Sequence, residues 1–169
     1  VFGALLSDAR TGRTLERRPI DLATSFAVTD WFLERGFTVL WLTDGQEAGH
    51  DGYVVDAPRR HAAVDRWVQQ TPCNVVCVDR LSADVFAPLR ISLIDDRDVL
   101  EGVSGELRSA FDGRLTHNVL RAPAYDLTII EAFATGVNKW TGIERLCRRW
   151  NIDPARTAAV GDDVNDIDL

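Results

Sequence analysis

The sequence predicts a mixed α/β fold, and three observations carry that prediction. Short apolar runs rich in β-branched and aromatic residues, FTVLWLT at 37–43, NVVCVD at 74–79 and ISLID at 91–95, have the length and composition of strands. They alternate with longer segments whose apolar residues recur three and four apart, the spacing of one helix face. Turn residues, among them Gly36, Asp44-Gly45 and Gly136, fall at the joins. Strand and helix in alternation imply a sheet that buries its faces under helices.

Taken in order, the opening FGALLSDARTGRTLERR reads as two short strands joined by a turn around Ala9 to Gly12, a hairpin. From Asp21 to Arg35, Leu22, Phe26, Trp31, Phe32 and Leu33 cluster at helical spacing, with Asp21 as N-cap and Gly36 as stop. Phe37 to Thr43 follows as a strand, and Tyr53 to Val55 returns as its partner. Pro58 to Gln70 is the next helix, with Ala62, Val64, Trp67 and Val68 turned inward, and Asn74 to Asp79 the next strand. Ile91 to Asp95, a helix from about Asp98 to Phe111, and strands near Leu115 to Leu120 and Leu127 to Phe133 continue the pattern. Lys139 to Trp150 is amphipathic: Trp140, Ile143, Leu146, Cys147 and Trp150 line one face, and Glu144, Arg145, Arg148 and Arg149 fill the other. A short strand over Thr157 to Val160 ends at Gly161.

Composition narrows the function. With 46% hydrophobic and 27% charged residues the chain is ordinary for a soluble globular protein, and no stretch approaches the roughly 20 apolar residues of a membrane span. A net charge of -7 argues against a duplex nucleic-acid binder, which needs clustered cations, so the expected partners are small molecules. Cys73, Cys77 and Cys147 match no zinc spacing, and Cys73 and Cys77 are expected on one buried face of a strand. Unpaired cysteines imply a reducing, cytoplasmic compartment. His50, His61 and His117 are scattered with no nucleophile elbow, which gives a triad hydrolase little support.

The chemistry is concentrated near the end of the chain. GDDVNDIDL sets Asp162, Asp163, Asn165 and Asp166 just past an expected strand, where open α/β sheets bind ligands. Several carboxylates in one short loop repel unless a cation or a set of donors compensates them, and oxygen-only ligands suit Mg²⁺. A calcium loop would require Gly at its sixth position; counted from Asp162 that position is Ile167. Lys139 is the one lysine among 19 basic residues, placed at a helix start where N–H groups and an ammonium can meet an anion together.

GVNKWTGIERLCRRWNIDPARTAAVGDDVNDIDL resembles the third and fourth motifs of the Cof-like branch of the haloacid dehalogenase phosphatases, which read roughly GxxKxxxL, a helix, then GDxxNDxxM. The opening FGALLSDARTGRTL is similar to the Asn-Gly-Ala hairpin that leads into that branch's cap, with Phe2 where the family has Asn. The resemblance implies a Rossmann-like core carrying a large α/β cap: residues 1–17 an edge hairpin of the core, 18–134 the cap, and 135–169 the C-terminal part of the core. It implies hydrolysis of a small phosphorylated metabolite, by default a sugar phosphate, through an aspartyl-phosphate. Asp162 would hold Mg²⁺, and Lys139 would neutralise the nucleophile and the transferring phosphoryl group. Asn165 would lie near the phosphate, and Asp166 would orient Lys139 or a metal-bound water.

The sequence departs from the family in one chemically decisive way. The first motif, Asp-x-Asp-Gly-Thr, which supplies the nucleophile, is absent: Asp8 is followed by Ala9 and Arg10. The second-motif Ser/Thr strand is missing as well, and no Met occurs anywhere, so the chain is read as a piece of a longer enzyme and is expected to be inactive alone. The competing reading is a non-catalytic small-molecule binding or regulatory domain derived from the same fold.

Overall fold

The computed structural model describes residues 2–122, 127–161 and 166. Among these residues eight strands and five helices are interspersed: β1 (Leu5–Ser7), β2 (Thr14–Arg17), α1 (Leu22–Glu34), β3 (Val39–Leu42), the short α2 (Gly45–Ala48), which the sequence reading did not include, β4 (Gly52–Val55), α3 (Ala62–Gln70), β5 (Val75–Val78), β6 (Arg90–Asp95), α4 (Arg97–Ala110), β7 (Leu115–Ala122), β8 (Leu127–Ala134) and α5 (Lys139–Trp150). β1 and β2 form the opening hairpin, and the other six strands form one sheet in the order β5-β4-β3-β6-β8-β7. Only β4 and β5 run parallel; the helix α3 between them is the crossover that a parallel pair requires.

The two faces of the sheet are covered differently. On one face α1 and α4 pack Val28, Phe32, Leu100 and Leu107 against Val39, Trp41, Ile91, Leu93 and Ile130, all but inaccessible to solvent. On the other, α3 brings Ala63, Val64 and Trp67 onto Leu40, Val54, Ile94, Leu127 and Ile129. Side chains along a strand alternate between faces, so consecutive residues such as Leu40 and Trp41 serve opposite layers. The hairpin is fixed to the β3–β4 turn by polar contacts: Thr14 Oγ1 donates to Asp44 Oδ2 at 2.9 Å, and Arg17 pairs with the buried Asp44 at 3.1 Å and with Glu47.

Several local expectations need correction. Helix α3 begins later than Pro58, because the His61 ring accepts from the Ala63 N–H and caps it; Ala63, Val64 and Trp67 are its buried residues, while Ala62 is exposed. β5 is an edge strand of the sheet; Cys77 is exposed on it and the half-buried Cys73 precedes it, so the two do not share a buried face. Arg145 lies against the hairpin rather than on a solvated face: its guanidinium donates to the Gly3 carbonyl and faces Glu16, and burial draws its pKa down. Trp150 is 58% exposed where an inward position is expected. Thr157–Val160 is not a strand, and Val160 is 97% exposed. A strand exists only where a neighbour completes its hydrogen bonds, and among the described residues neither sheet places one beside it.

Candidate active site

Helix α5 positions the lysine. Asn138 caps it by accepting from the Thr141 N–H at 2.8 Å, while the Thr141 hydroxyl accepts from the Asn138 N–H at 3.1 Å, a reciprocal capping box that fixes the first turn. Lys139 is the first helical residue, so its side chain leaves the end of the helix where the backbone N–H groups carry partial positive charge. Its ammonium forms an ion pair with Asp166, 27 residues on, whose side chain is only 8% exposed. The same ammonium lies 5.1 Å from the centre of the Phe2 ring.

Two glycines permit this arrangement. A Cβ on Gly142 would come 2.8 Å from the Gly3 Cα, so α5 and the segment entering β1 touch backbone to backbone. A Cβ on Gly161 would come 2.1 Å from the Asp166 Cβ, so the glycine of the GDxxND run provides the space that the aspartate occupies. Phe2, Gly3, Leu6, Lys139, Gly161 and Asp166 border one open groove, with Lys139 and Asp166 the charged groups on its lining.

Of the residues singled out from the sequence, Lys139 and Asp166 are therefore brought together. Asp162, Asp163 and Asn165 lie outside the described residues. Sequence reasoning missed the Phe2 ring beside the lysine, the Gly3–Gly142 approach and the half-buried Arg145. A glycine inside an otherwise strong helix is the signal that marks Gly142.

Two other polar groupings lie elsewhere in the molecule. His61, Asp95 and Asp96 bring ligand atoms within 4.8 Å of one another. However, Arg59 already faces Asp95 at 3.2 Å, and the His61 Nδ1 accepts the capping bond, which leaves its Nε2 protonated and unable to ligate a metal. Ser104 Oγ lies 2.9 Å from His117 Nε2, yet Ser104 is buried where α4 packs on β7, and burial lowers the His117 pKa. Neither borders the groove of Lys139. No helix among the described residues is long and apolar enough to cross a membrane.

Comparison with known proteins gives the fold a family. A HAD/Cof-like hydrolase of Plasmodium vivax superposes with a TM-score of 0.76 at 19% identity, over 99% of this chain and 55% of its own. A haloacid dehalogenase-like hydrolase of Bacillus subtilis gives 0.71 at 20% identity, over 97% and 62%. The subclass IIB sugar phosphatase BT4131 gives 0.59 at 12% identity, over 83% and 48%. The chain thus spans about half to three-fifths of the length of these structures. No curated protein matches the chain significantly. The family model for haloacid dehalogenase-like hydrolases matches residues 2–169, and the chain belongs to that family.

Proposed function

We propose that the enzyme to which this chain contributes is a Mg²⁺-dependent phosphomonoesterase acting on small phosphorylated metabolites, with sugar phosphates the foremost class. The observation that carries the reading is the ion pair of Lys139 with Asp166 at the start of α5. A single lysine, held by a mostly buried carboxylate and backed by a helix N-terminus, is suited to receive the oxygens of a phosphoryl group. In this reading the ammonium neutralises charge on the transferring group, and Asp166 keeps it aimed into the groove. Asn165 contributes an amide to the phosphate, and Asp162 holds the metal. Among the described residues the groove offers one carboxylate, Asp166, and no histidine or cysteine, which fits a hard cation such as Mg²⁺. That ion would supply further charge neutralisation when bound. The nucleophilic aspartate matches no position of this sequence, so turnover is assigned to the complete enzyme. Residues 18–134 act as the cap and residues 1–17 with 135–169 as part of the core. The placement is cytoplasmic.

Phenyl phosphate hydrolysis by the full-length protein, with and without Mg²⁺ and with Lys139→Ala, tests this reading. Metal-dependent turnover lost in the variant is the expected result. A wild-type protein with no turnover that still binds phosphorylated ligands would favour a non-catalytic binding domain.

A further inference from the structure

A recess of about 260 Å³ lies beside α1, and none of its lining residues borders the groove of Lys139. Phe26, Thr29, Asp30 and Leu33 form one wall, a single stripe of the helix with members three and four apart. Arg80 and Leu81, in the segment between β5 and β6, form the other, and Val55, the last residue of β4, adds apolar surface. The volume falls somewhat below the roughly 300–1,000 Å³ of pockets for drug-sized ligands, which suits a molecule no larger than one amino acid.

Thr29 gives the recess an unmet bonding demand. The residue is 2% exposed, and its hydroxyl has no hydrogen-bond partner among the described residues. Within a helix such a hydroxyl ordinarily bonds back to the carbonyl four residues earlier. Its neighbours on α1 are satisfied: Ser25 Oγ donates to the Asp21 carbonyl at 2.8 Å, and Thr24 Oγ1 accepts from Arg114 at 3.0 Å. Packing alone favours valine, which has the shape of threonine and no hydroxyl to bury unpaired. The two charges on the lining are opposite in sign and come from opposite walls, Asp30 from α1 and Arg80 from the facing segment, and both residues are exposed. Neither is held in an ion pair among the described residues.

We propose that this recess binds a free apolar α-amino acid of the size of leucine or phenylalanine. Its ammonium would lie against the Asp30 carboxylate and take the Thr29 hydroxyl as a second acceptor. Its carboxylate would meet the planar fork of N–H donors on Arg80. Its side chain would fill the space between Phe26, Leu33, Val55 and Leu81. A ligand with one charge leaves Asp30 or Arg80 unmatched, and a polar side chain would be desolvated among carbon atoms with nothing to bond. A ligand seated there ties α1 to residues 79–89, whose Phe86 carbonyl already accepts from Trp41 Nε1 at 3.2 Å. The inference is independent of the phosphatase reading.

Calorimetric titration of L-leucine and L-phenylalanine into the full-length protein tests this, with isoamylamine and isocaproate, which each keep one of leucine's two charges, as controls. At least one amino acid should bind with a Kd of about 0.1 mM or tighter, and both controls about tenfold or more weakly than leucine. Asp30→Asn and Arg80→Gln, at exposed positions where the fold is not at stake, should each weaken binding by about tenfold or more, and Thr29→Val by about threefold or more. Thr29→Val should leave the melting temperature of the ligand-free protein unchanged or raised, because it removes an unpaired buried hydroxyl. Failure of both amino acids to bind overturns the proposal. So does an amine or acid control that binds as tightly as leucine, and so does affinity that survives Asp30→Asn and Arg80→Gln.

Discussion

The six-stranded sheet and the layer formed by the β1–β2 hairpin with α5 are built on different principles. In the sheet, Trp41, Ile91, Leu93 and Ile130 are inaccessible, and helices pack on both faces. In the hairpin–α5 layer, stability comes from a glycine-to-glycine backbone approach, a half-buried arginine and a capping box, while Trp150, Ile152 and Val160 remain in water. A region that fills its own core tolerates only replacements of similar volume. A region held by close backbone approach tolerates much at its apolar surface and almost nothing at its contact points. The lysine of the candidate site belongs to the second kind.

The comparison can be broken or sharpened by substitution. Trp41→Ala should be the most damaging to stability, because it empties a fully buried site between α1 and β3; a loss of about 3–5 kcal/mol in urea unfolding is expected. Lys139→Ala should leave the fold nearly intact and lower turnover of the full-length enzyme by about 10²- to 10³-fold, measured with phenyl phosphate. If it instead unfolds the chain, the ion pair with Asp166 is a structural support. Gly142→Ala should cost about 1–3 kcal/mol, as the added Cβ pushes α5 off Gly3, and should displace the lysine as well. Trp150→Ser should change stability by no more than about 0.5 kcal/mol, in contrast to Trp41.

A pH series separates the two regions by another route. His117 lies within the sheet layer, and burial holds its pKa below the ordinary value of about 6.5. The unfolded chain therefore takes up a proton before the folded one does. Stability should fall as the pH drops below about 6.5, and the loss should level off once the folded histidine also protonates. His117→Gln should flatten that part of the stability curve in calorimetric unfolding.

The sheet was legible in the sequence because β3, β4, β5, β6 and β8 each carry an apolar run, bounded by turn residues or helix caps. Details set by tertiary context were not. Cys77 reads as buried by alternation, yet it sits exposed on an edge strand. Arg145 reads as solvated by periodicity, yet the Gly3 carbonyl draws it inward. Thr157 to Val160 reads as a strand by composition, and strand formation depends on a neighbour that local sequence cannot supply. At the site, Lys139 and Asp166 were legible through their motifs, and the structure joins them. Asp162 and Asn165 rest on the resemblance. Glu131 was not singled out, although it is a lone acid within LTIIEAFA, and the structure pairs it with Arg90 across the sheet.

Lys139 is also the one lysine of this sequence, and that makes the site chemically addressable. An amine-selective acylating reagent meets a single side-chain ε-amine, so mass spectrometry of modified peptides reads the state of one atom in the groove without any substrate. While Asp166 holds the ammonium, acylation competes with the ion pair; a phosphate analogue that settles on the amine would protect it further. The lysine is thus a built-in reporter of occupancy, available even where no reaction can be followed.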